Sequence, residues 1–163
     1  MENIKKILLP LEFTEFSQGV FNCAVQMAMS SDAKIIVLSV INSRDIQSVE
    51  SIVSMGYDVD AEHYIKEIKN DRKLQLNKMA DEAEIDKNKV KIMFKTGKPV
   101  DEILKAIEKE APDLVVMGTR GRGSLETSVM GSVANKVFKK SPVNILSHRN
   151  KAVQKSLIKK LNL

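Results

Sequence analysis

Residues 113–133, DLVVMGTRGRGSLETSVMGSV, join an apolar run to a segment that holds four of the chain's seven glycines. These glycines are Gly118, Gly121, Gly123 and Gly131. In an open α/β sheet the ligand crevice lies beyond the carboxyl ends of the strands, and an apolar run ending in glycine fits such a strand end. Gly131 and Ser132 open a predicted helix, whose unpaired N–H groups and positive dipole end attract phosphate. The stretch therefore predicts a strand, a turn and a helix start that suit an anionic ligand.

Arg120 and Arg122 bring positive charge to the same segment. Arg120 is a candidate ligand-binding residue, whereas we interpret Arg122 as a solvated loop residue. The spacing is neither a Walker A loop nor the G-x-G-x-x-G fingerprint, because Glu126 stands where a third glycine would follow Gly121 and Gly123. Spacing alone therefore favours phosphate binding without specifying the nucleotide.

Short apolar runs recur along the chain at residues 4–11, 34–41, 90–95, 113–117 and 143–147. Apolar residues at helical spacing predict helices over residues 15–30 and 60–86, from Pro99 onward and from Gly131 onward. Strands that alternate with helices are typical of an α/β fold with a mostly parallel sheet. Arg72 interrupts the apolar pattern of the long helix, and Phe138 is predicted to lie on the buried face of the last one.

The chain is expected to form one domain over residues 1–149, followed by a tail over residues 150–163. The apolar residues of the tail lie near one face and its lysines mostly elsewhere, which predicts a short basic amphipathic helix. The connection at residues 42–60 is long for a compact domain. Two interpretations of it stay open, a mobile flap over a site and a variable surface excursion.

Composition narrows the class of protein. The 163 residues are 43% apolar, enough for a single core. No apolar run approaches the roughly 20 residues of a membrane span, and the N-terminus does not read as a secretory signal, so we expect a cytoplasmic protein. The net charge is +5, but residues 151–163 carry four lysines and no acid, which leaves only +1 on residues 1–150. With no Trp to stack bases, a nucleic-acid partner is disfavoured.

The sequence offers no recognisable catalytic constellation. Cys23 is the only cysteine, which excludes an internal disulfide, and its helical spacing with apolar residues indicates a core-facing thiol. His63 and His148 lack metal-ligand spacing and have no candidate nucleophile beside them, so both are expected at the surface. We therefore predict no catalytic residues and no metal held by side chains alone.

The arrangement Gly118-x2-Gly121-x9-Gly131-Ser132 resembles the nucleotide-binding signature of the universal stress protein family. The similarity extends to KKILLPLEFTEFS, GKPVDEILKAIEKEAPDLVVMG and SPVNILSHR, and covers nearly all of residues 3–149. The two-part glycine motif is fairly specific, because relatives that do not bind ATP typically lack it.

The resemblance implies a Rossmann-like open sheet of five parallel strands in the order 3-2-1-4-5, with helices on both faces. It implies that ATP binds at the carboxyl ends of the strands. It also allows a divalent cation, Mg²⁺ or Mn²⁺, to be bound through the phosphates. Carried over by position, Pro10, Glu12 and Val40 would border the adenine and ribose. The residues implied to hold the ribose and phosphates are Met117, Gly118, Gly121, Gly131, Ser132 and Val133.

Glu12 departs from the family pattern, which usually has Asp at this position. Its carboxylate is one methylene longer, so it must reach the base or the ribose from a different angle. The phosphate half of the signature, by contrast, is intact.

The resemblance also implies a homodimer that pairs the last strand, from Val143 to Ser147, with its copy. An exposed apolar edge must be paired or covered, and cover by the chain's own tail is the alternative. The tail itself is predicted to pack on the partner or on its own domain, or else to dock on an acidic protein or membrane surface.

The implied function is an ATP-binding regulatory protein of the stress response, whose nucleotide state an unknown protein partner reads. Two alternatives stay open, an interaction module that does not bind nucleotide and a slow ATPase. Because the sequence indicates no second residue suited to position a water together with Glu12, we expect at most weak ATP hydrolysis.

Overall fold

The structure is a computed structural model that describes residues 3–58, 60–120 and 130–161. Its elements, in chain order, are β1 (Lys6–Pro10), α1 (Ser17–Ser31), β2 (Lys34–Asn42), α2 (Ser43–Ser54), α3 (Ala61–Glu82), a 3₁₀ turn (Lys87–Lys89), β3 (Val90–Gly97), α4 (Pro99–Glu110), β4 (Leu114–Gly118), α5 (Ser132–Lys140), β5 (Ile145–His148) and α6 (Lys151–Lys160). The five strands form one parallel sheet in the order β3-β2-β1-β4-β5. The predicted α/β fold and strand order are confirmed.

The apolar strand runs are continuous because the sheet is buried on both faces. Ile7, Leu8 and Leu9 in β1 are all 0% exposed. Ile7 and Leu9 pack with α1 and α3 on one face, whereas Leu8 packs with α4 and α5 on the other. Burial of each such side chain stabilises the fold by about 1.5–3 kcal/mol. Parallel sheets covered on both faces characteristically show this pattern instead of strict alternation.

Helix α4 begins as the sequence predicts. Pro99 occupies the first turn, where its missing N–H costs nothing, and Asp101 and Glu102 complement the helix dipole. Helix α5 begins at Ser132 and ends on Lys139 and Lys140.

The prediction for Phe138 is wrong, since its side chain is 51% exposed. Val137, one residue earlier, is fully buried. Successive helical residues point about 100° apart, so Phe138 lies outside the stripe that Ala134 and Val137 turn toward the sheet.

Within the long connection at residues 42–60, residues 43–54 form helix α2. The side chain of Asn42 caps the helix by accepting a hydrogen bond from the Arg44 N–H. No residue of α2 is fully buried. The helix therefore depends on its cap and on partial contact with β2 and α3, and a small buried face leaves a weak signal in the sequence.

Helix α3 buries the arginine that interrupts its apolar pattern. Arg72 is 8% exposed and follows the same face as Leu76, Met79 and Ala80. The interruption is therefore a buried polar contact rather than a break in the helix.

The tail forms helix α6, which Asn150 caps by accepting from the Val153 N–H. Val153 is 2% exposed, whereas Ile158 and Leu161 are each 61% exposed. The tail thus packs on its own domain through Val153 and leaves part of its apolar face open. Within the ranges described above, no helix combines the length and apolar character needed to cross a membrane.

Candidate functional site

The carboxyl ends of strands β1, β2 and β4, together with the start of α4, open into a cleft of about 840 Å³. Such a volume lies within the range of small-molecule sites. The predicted site residues that line it are Pro10, Glu12, Val40, Met117, Gly118, Arg120, Gly131, Ser132 and Val133. Gly121, the remaining predicted residue, lies outside the described residues. The structure therefore brings nine of the ten predicted positions to one cleft.

The topology creates this cleft. Strand β1 lies between β2 and β4. The chain leaves β1 for α1 on one face of the sheet, whereas α5, which follows β4, packs on the other face. Connections that diverge in this way leave a crevice beyond the strand ends, where ligands of open α/β sheets bind.

One end of the cleft is built from backbone at the start of α5. Gly131 is the N-cap residue, and the first turn of the helix carries no acid and no side-chain cap. The N–H groups of Ser132 and Val133 lack partners within the helix by its geometry. Because the first turn of α5 contains no carboxylate to complement the positive end of the dipole, this helix start favours an anion.

Thr119 fixes the position of that helix start. Its carbonyl accepts from the Gly131 N–H at 2.7 Å, and its own N–H donates to the His148 carbonyl at 3.2 Å. Thr119 is 2% exposed. The residue therefore joins the ends of β4, α5 and β5, a role that the sequence pattern did not indicate.

Charge along the cleft is mainly positive. Of the described lining residues, the cations are Arg44, Arg72, Lys98, Arg120, Lys136 and Lys140, and the carboxylates are Glu12, Asp45 and Asp101. A cleft lined by an excess of one charge concentrates ligands of the opposite charge. The excess here favours a polyanion.

The other end, over β1 and β2, is less polar. Pro10, Leu38 and Val40 provide apolar surface, and Glu12 is exposed at the rim. An apolar wall with one carboxylate at its edge suits a ring that carries hydroxyl groups. The cleft as a whole therefore has an anion end and a ring end.

Arg72 reaches the ring end from α3. Its Nη1 donates to the Ser39 Oγ at 2.7 Å and to the Val40 carbonyl at 3.2 Å. Its guanidinium carbon lies 5.7 Å from the centre of the Phe13 ring, within reach of a cation–π contact. In the sequence this residue stands out only as an interruption of an apolar helical stripe, which does not reveal its place at the cleft.

The turn after β1 is strained at Phe13, whose φ of 57° is left-handed. A bulky residue rarely adopts this conformation, which costs on the order of 1–3 kcal/mol. The Leu11 N–H donates to the Leu38 carbonyl at 3.0 Å, and the Thr14 N–H donates to the Ser17 Oγ at 2.9 Å. These bonds anchor the turn on both sides of Phe13.

Gly118 is confined by its protein neighbours. A Cβ at this position would lie 3.2 Å from Val20 Cγ2 and 3.3 Å from the Arg120 carbonyl oxygen. Both distances are tighter than ordinary contact, so the approach of α1 and of the following loop already requires a small residue here.

The remaining candidate side chains lie outside the chemistry of the cleft. Cys23 packs partly buried against the core, and burial raises the pKa of its thiol, which fits a core-facing role. The His63 side chain is exposed, and its Nε2 lies 3.1 Å from the Oε1 of Glu67. His148, also expected at the surface, is only partly exposed because it packs against Gly19, and burial lowers its pKa. Within the described ranges, no group of three or more His, Cys, Asp or Glu could hold a metal ion.

Comparison with known proteins gives the family. The model of the universal stress protein family matches residues 3–147. Universal stress protein MJ0577 of Methanocaldococcus jannaschii is 31% identical over 157 residues, which cover 90% of this chain and 96% of that protein. The solved structure of MJ0577 matches with a TM-score of 0.73 and 26% identity, over 91% of this chain and 98% of that one. This chain belongs to the universal stress protein family.

Two further solved structures share the fold at lower identity. A universal stress protein in complex with cAMP matches with a TM-score of 0.59 and 18% identity, over 91% of this chain and 98% of that one. A universal stress protein of Archaeoglobus fulgidus in complex with dAMP matches with a TM-score of 0.54 and 15% identity, over 91% of this chain and 100% of that one. At these identities the likeness establishes the fold alone.

Proposed function

We propose that this universal stress protein is a cytoplasmic, homodimeric ATP-binding regulator of the stress response. The observation that carries the proposal is the division of one cleft into an anion end at Gly131 and Ser132 and a ring end at Pro10 and Val40. A nucleotide has the same division, with phosphates at one end and a base at the other.

The family's nucleotide complexes support an adenine nucleotide. One relative is in complex with cAMP and another with dAMP. The excess of cations along the cleft favours a triphosphate over a monophosphate, because each added phosphate brings further negative charge.

In the proposed complex, Glu12 and Val40 border the ribose and base, and the phosphates approach the start of α5. The N–H groups of Ser132 and Val133 and the Ser132 hydroxyl donate to phosphate oxygens, with charge from Arg120. A divalent cation would bind chiefly through the phosphates, as Mg²⁺ commonly does at nucleotide sites. A protein partner would then read nucleotide occupancy through a shift in the population of conformations.

Equilibrium titration with ATP and AMP tests the proposal. The natural chain should bind both, and Gly131→Val should weaken ATP binding at least 100-fold because the valine methyl groups occupy the space at the helix start. Ala152→Val adds similar bulk at an exposed position of α6 and should bind ATP as the natural chain does. An absence of measurable ATP binding in the natural chain would refute the function.

Two further measurements complete the test. Mass spectrometry of small molecules released from the purified protein should detect an adenine nucleotide. Phosphate release from ATP should not exceed the background of Gly131→Val; sustained release above it would add hydrolysis to the function.

The proposed dimer uses the outer edge of β5. The carbonyls of Asn144 and His148 accept from β4, so the backbone groups of Ile145 and Ser147 between them point away from β4. Of the strands, β5 and β3 are the edges of the sheet, and an exposed edge offers unpaired groups to a second copy.

Ser147→Pro tests the dimer by removing one outward N–H donor at a position where an edge strand tolerates proline. The natural chain should have the mass of a dimer in light scattering, and the variant should have the mass of a monomer with an unchanged far-UV spectrum. Deletion of residues 151–163 should leave the dimer intact. A monomeric natural chain would overturn the dimer while leaving nucleotide binding untouched.

A further inference from the structure

We propose that Arg72 is a positioning residue that holds the ring end of the cleft in its binding conformation. It does so by joining the turn after β1 to the carboxyl end of β2, two neighbouring segments at the ring end of the cleft. The inference rests on the proposed nucleotide function and extends it to a side chain that no glycine signature includes.

The contacts of Arg72 connect these segments directly. Its Nη1 donates to the Ser39 Oγ at 2.7 Å and to the Val40 carbonyl at 3.2 Å, both in β2. Its guanidinium lies 5.7 Å from the ring centre of Phe13, the residue after Glu12. Arg72 itself lines the cleft. One side chain from α3 therefore touches both neighbours of the expected base position.

The strain at Phe13 indicates what the contact does. A bulky residue with a φ of 57° keeps that conformation only where its surroundings impose it. The ring of Phe13 packs partly buried against the core, and the guanidinium covers it from the side of α3. Because Glu12 immediately precedes Phe13, release of the ring would let the carboxylate move away from its place at the rim.

Stability alone does not explain a buried arginine at this position. Arg72 is 8% exposed and Ser39 is 0% exposed, in the midst of apolar side chains. Buried charged groups often contribute no more to stability than apolar side chains of similar volume, and fixing a unique geometry is one attested use for them. Here that geometry belongs to the wall of the cleft.

The first test compares ATP with inorganic tripolyphosphate, which has no base. At roughly 0.5 M salt, which screens the general effect of the lost charge, Arg72→Met should weaken ATP binding at least tenfold and change tripolyphosphate binding less than twofold. Arg72→Lys keeps the charge and one group that can donate hydrogen bonds, so it should lose less ATP affinity than Arg72→Met. Lys78→Met removes a charge from an exposed position of the same helix and should change neither affinity. Equal losses for ATP and tripolyphosphate would indicate general disruption and overturn the inference.

The second test needs no nucleotide. The Leu11 amide, bonded to the Leu38 carbonyl at 3.0 Å, reports whether the turn stays attached to β2. In the ligand-free protein, Arg72→Met and Ser39→Ala should raise its hydrogen-exchange rate at least tenfold and leave the amides of α4 unchanged. An unchanged exchange rate at the Leu11 amide in both variants would overturn the inference, whether or not the natural chain binds ATP.

The two proposals can fail separately. If the natural chain binds no ATP, the proposed function fails and the exchange result alone decides the role of Arg72. If Arg72→Met does not fold, Arg72→Lys and Ser39→Ala decide in its place.

Discussion

The two ends of the cleft use different parts of the chain. The anion end is backbone: the N–H groups at the start of α5, held by the bond from the Gly131 N–H to the Thr119 carbonyl. The ring end is side chain: Glu12 at the rim and Arg72 arriving from a helix far along the sequence. A backbone site needs residues without obstructing side chains at fixed spacing, whereas a side-chain site needs residues from separate elements to meet in space. The first leaves a local pattern in the sequence and the second does not.

The largest expected effect comes from a substitution at the anion end, which should affect phosphate-containing ligands and spare a ligand without phosphate. Gly131→Val should weaken both ATP and tripolyphosphate at least 100-fold, because both place phosphate at the start of α5, and should leave adenosine affinity within threefold. Calorimetric titration of the three ligands measures this. If adenosine binding were lost as well, the two ends would not be independent and the comparison would fail.

The converse change acts on the ring end. Glu12→Gln keeps the size of the side chain but removes its charge, so ribose hydroxyls lose a charged acceptor. A hydrogen bond to a charged group is worth about 1.5–3 kcal/mol and one to a neutral group about 0.5–1.5 kcal/mol. Because the glutamine oxygen still accepts a neutral hydrogen bond, the loss is about 1–1.5 kcal/mol, and adenosine and ATP should each bind about tenfold more weakly. Tripolyphosphate should bind unchanged or slightly more tightly, because a negative charge has left the cleft. Glu15→Gln, the same replacement at an exposed position outside the cleft lining, serves as control.

A smaller effect is expected from removal of an exposed cation near the anion end. Lys136 is exposed on α5, one turn after Ser132. Lys136→Ala should weaken ATP about threefold at low salt and leave AMP unchanged, because an exposed charge acts through solvent. The difference in ATP affinity between the variant and the natural chain should disappear at roughly 0.5 M salt. A loss that persisted at high salt would mean that the lysine binds phosphate directly and that the anion end is not mainly backbone.

The smallest effect concerns the support of the anion end. His148, whose carbonyl accepts from Thr119, has its pKa lowered by burial from the ordinary value of 6.5. The unfolded chain therefore binds a proton more readily than the folded one, and stability should fall as the pH drops below about 6.5. His148→Gln should flatten this part of the curve of melting temperature against pH, and His63→Gln, at an exposed position, should not. An identical slope in all three proteins would contradict the role of burial at His148.

The same contrast explains how much the sequence could predict. The strands were predictable because continuous burial demands continuous apolar runs, as at residues 7–9. Helix α4 was predictable from Pro99 and its apolar stripe. Helix α2 was not, because it buries no residue fully and depends on the Asn42 cap. Phe138 fits the apolar spacing of α5 but lies beyond the surface that the sheet covers.

At the site, nine of the ten predicted positions line the cleft, and the predicted role of its glycine-rich end in phosphate binding stays a prediction. Thr119 was missed because its contribution is a carbonyl and an N–H, which every residue possesses. Arg72 was missed because its partners, Ser39 and Val40, lie more than 30 positions away in sequence. Long-range side-chain pairing of this kind becomes visible only when the helices have been placed on the sheet.

The cleft draws its lining from the ends of three strands, β1, β2 and β4, and from helices α1 to α5, so it exists only when nearly the whole chain has folded. A ligand that occupies it cannot bind a partly unfolded molecule. At a concentration 100 times its dissociation constant, such a ligand adds about 2.7 kcal/mol to the free energy of unfolding. Proteases that cleave transiently opened chains would then degrade the occupied protein roughly 100-fold more slowly. The abundance of the protein would thereby follow the supply of its ligand, without any change in its synthesis.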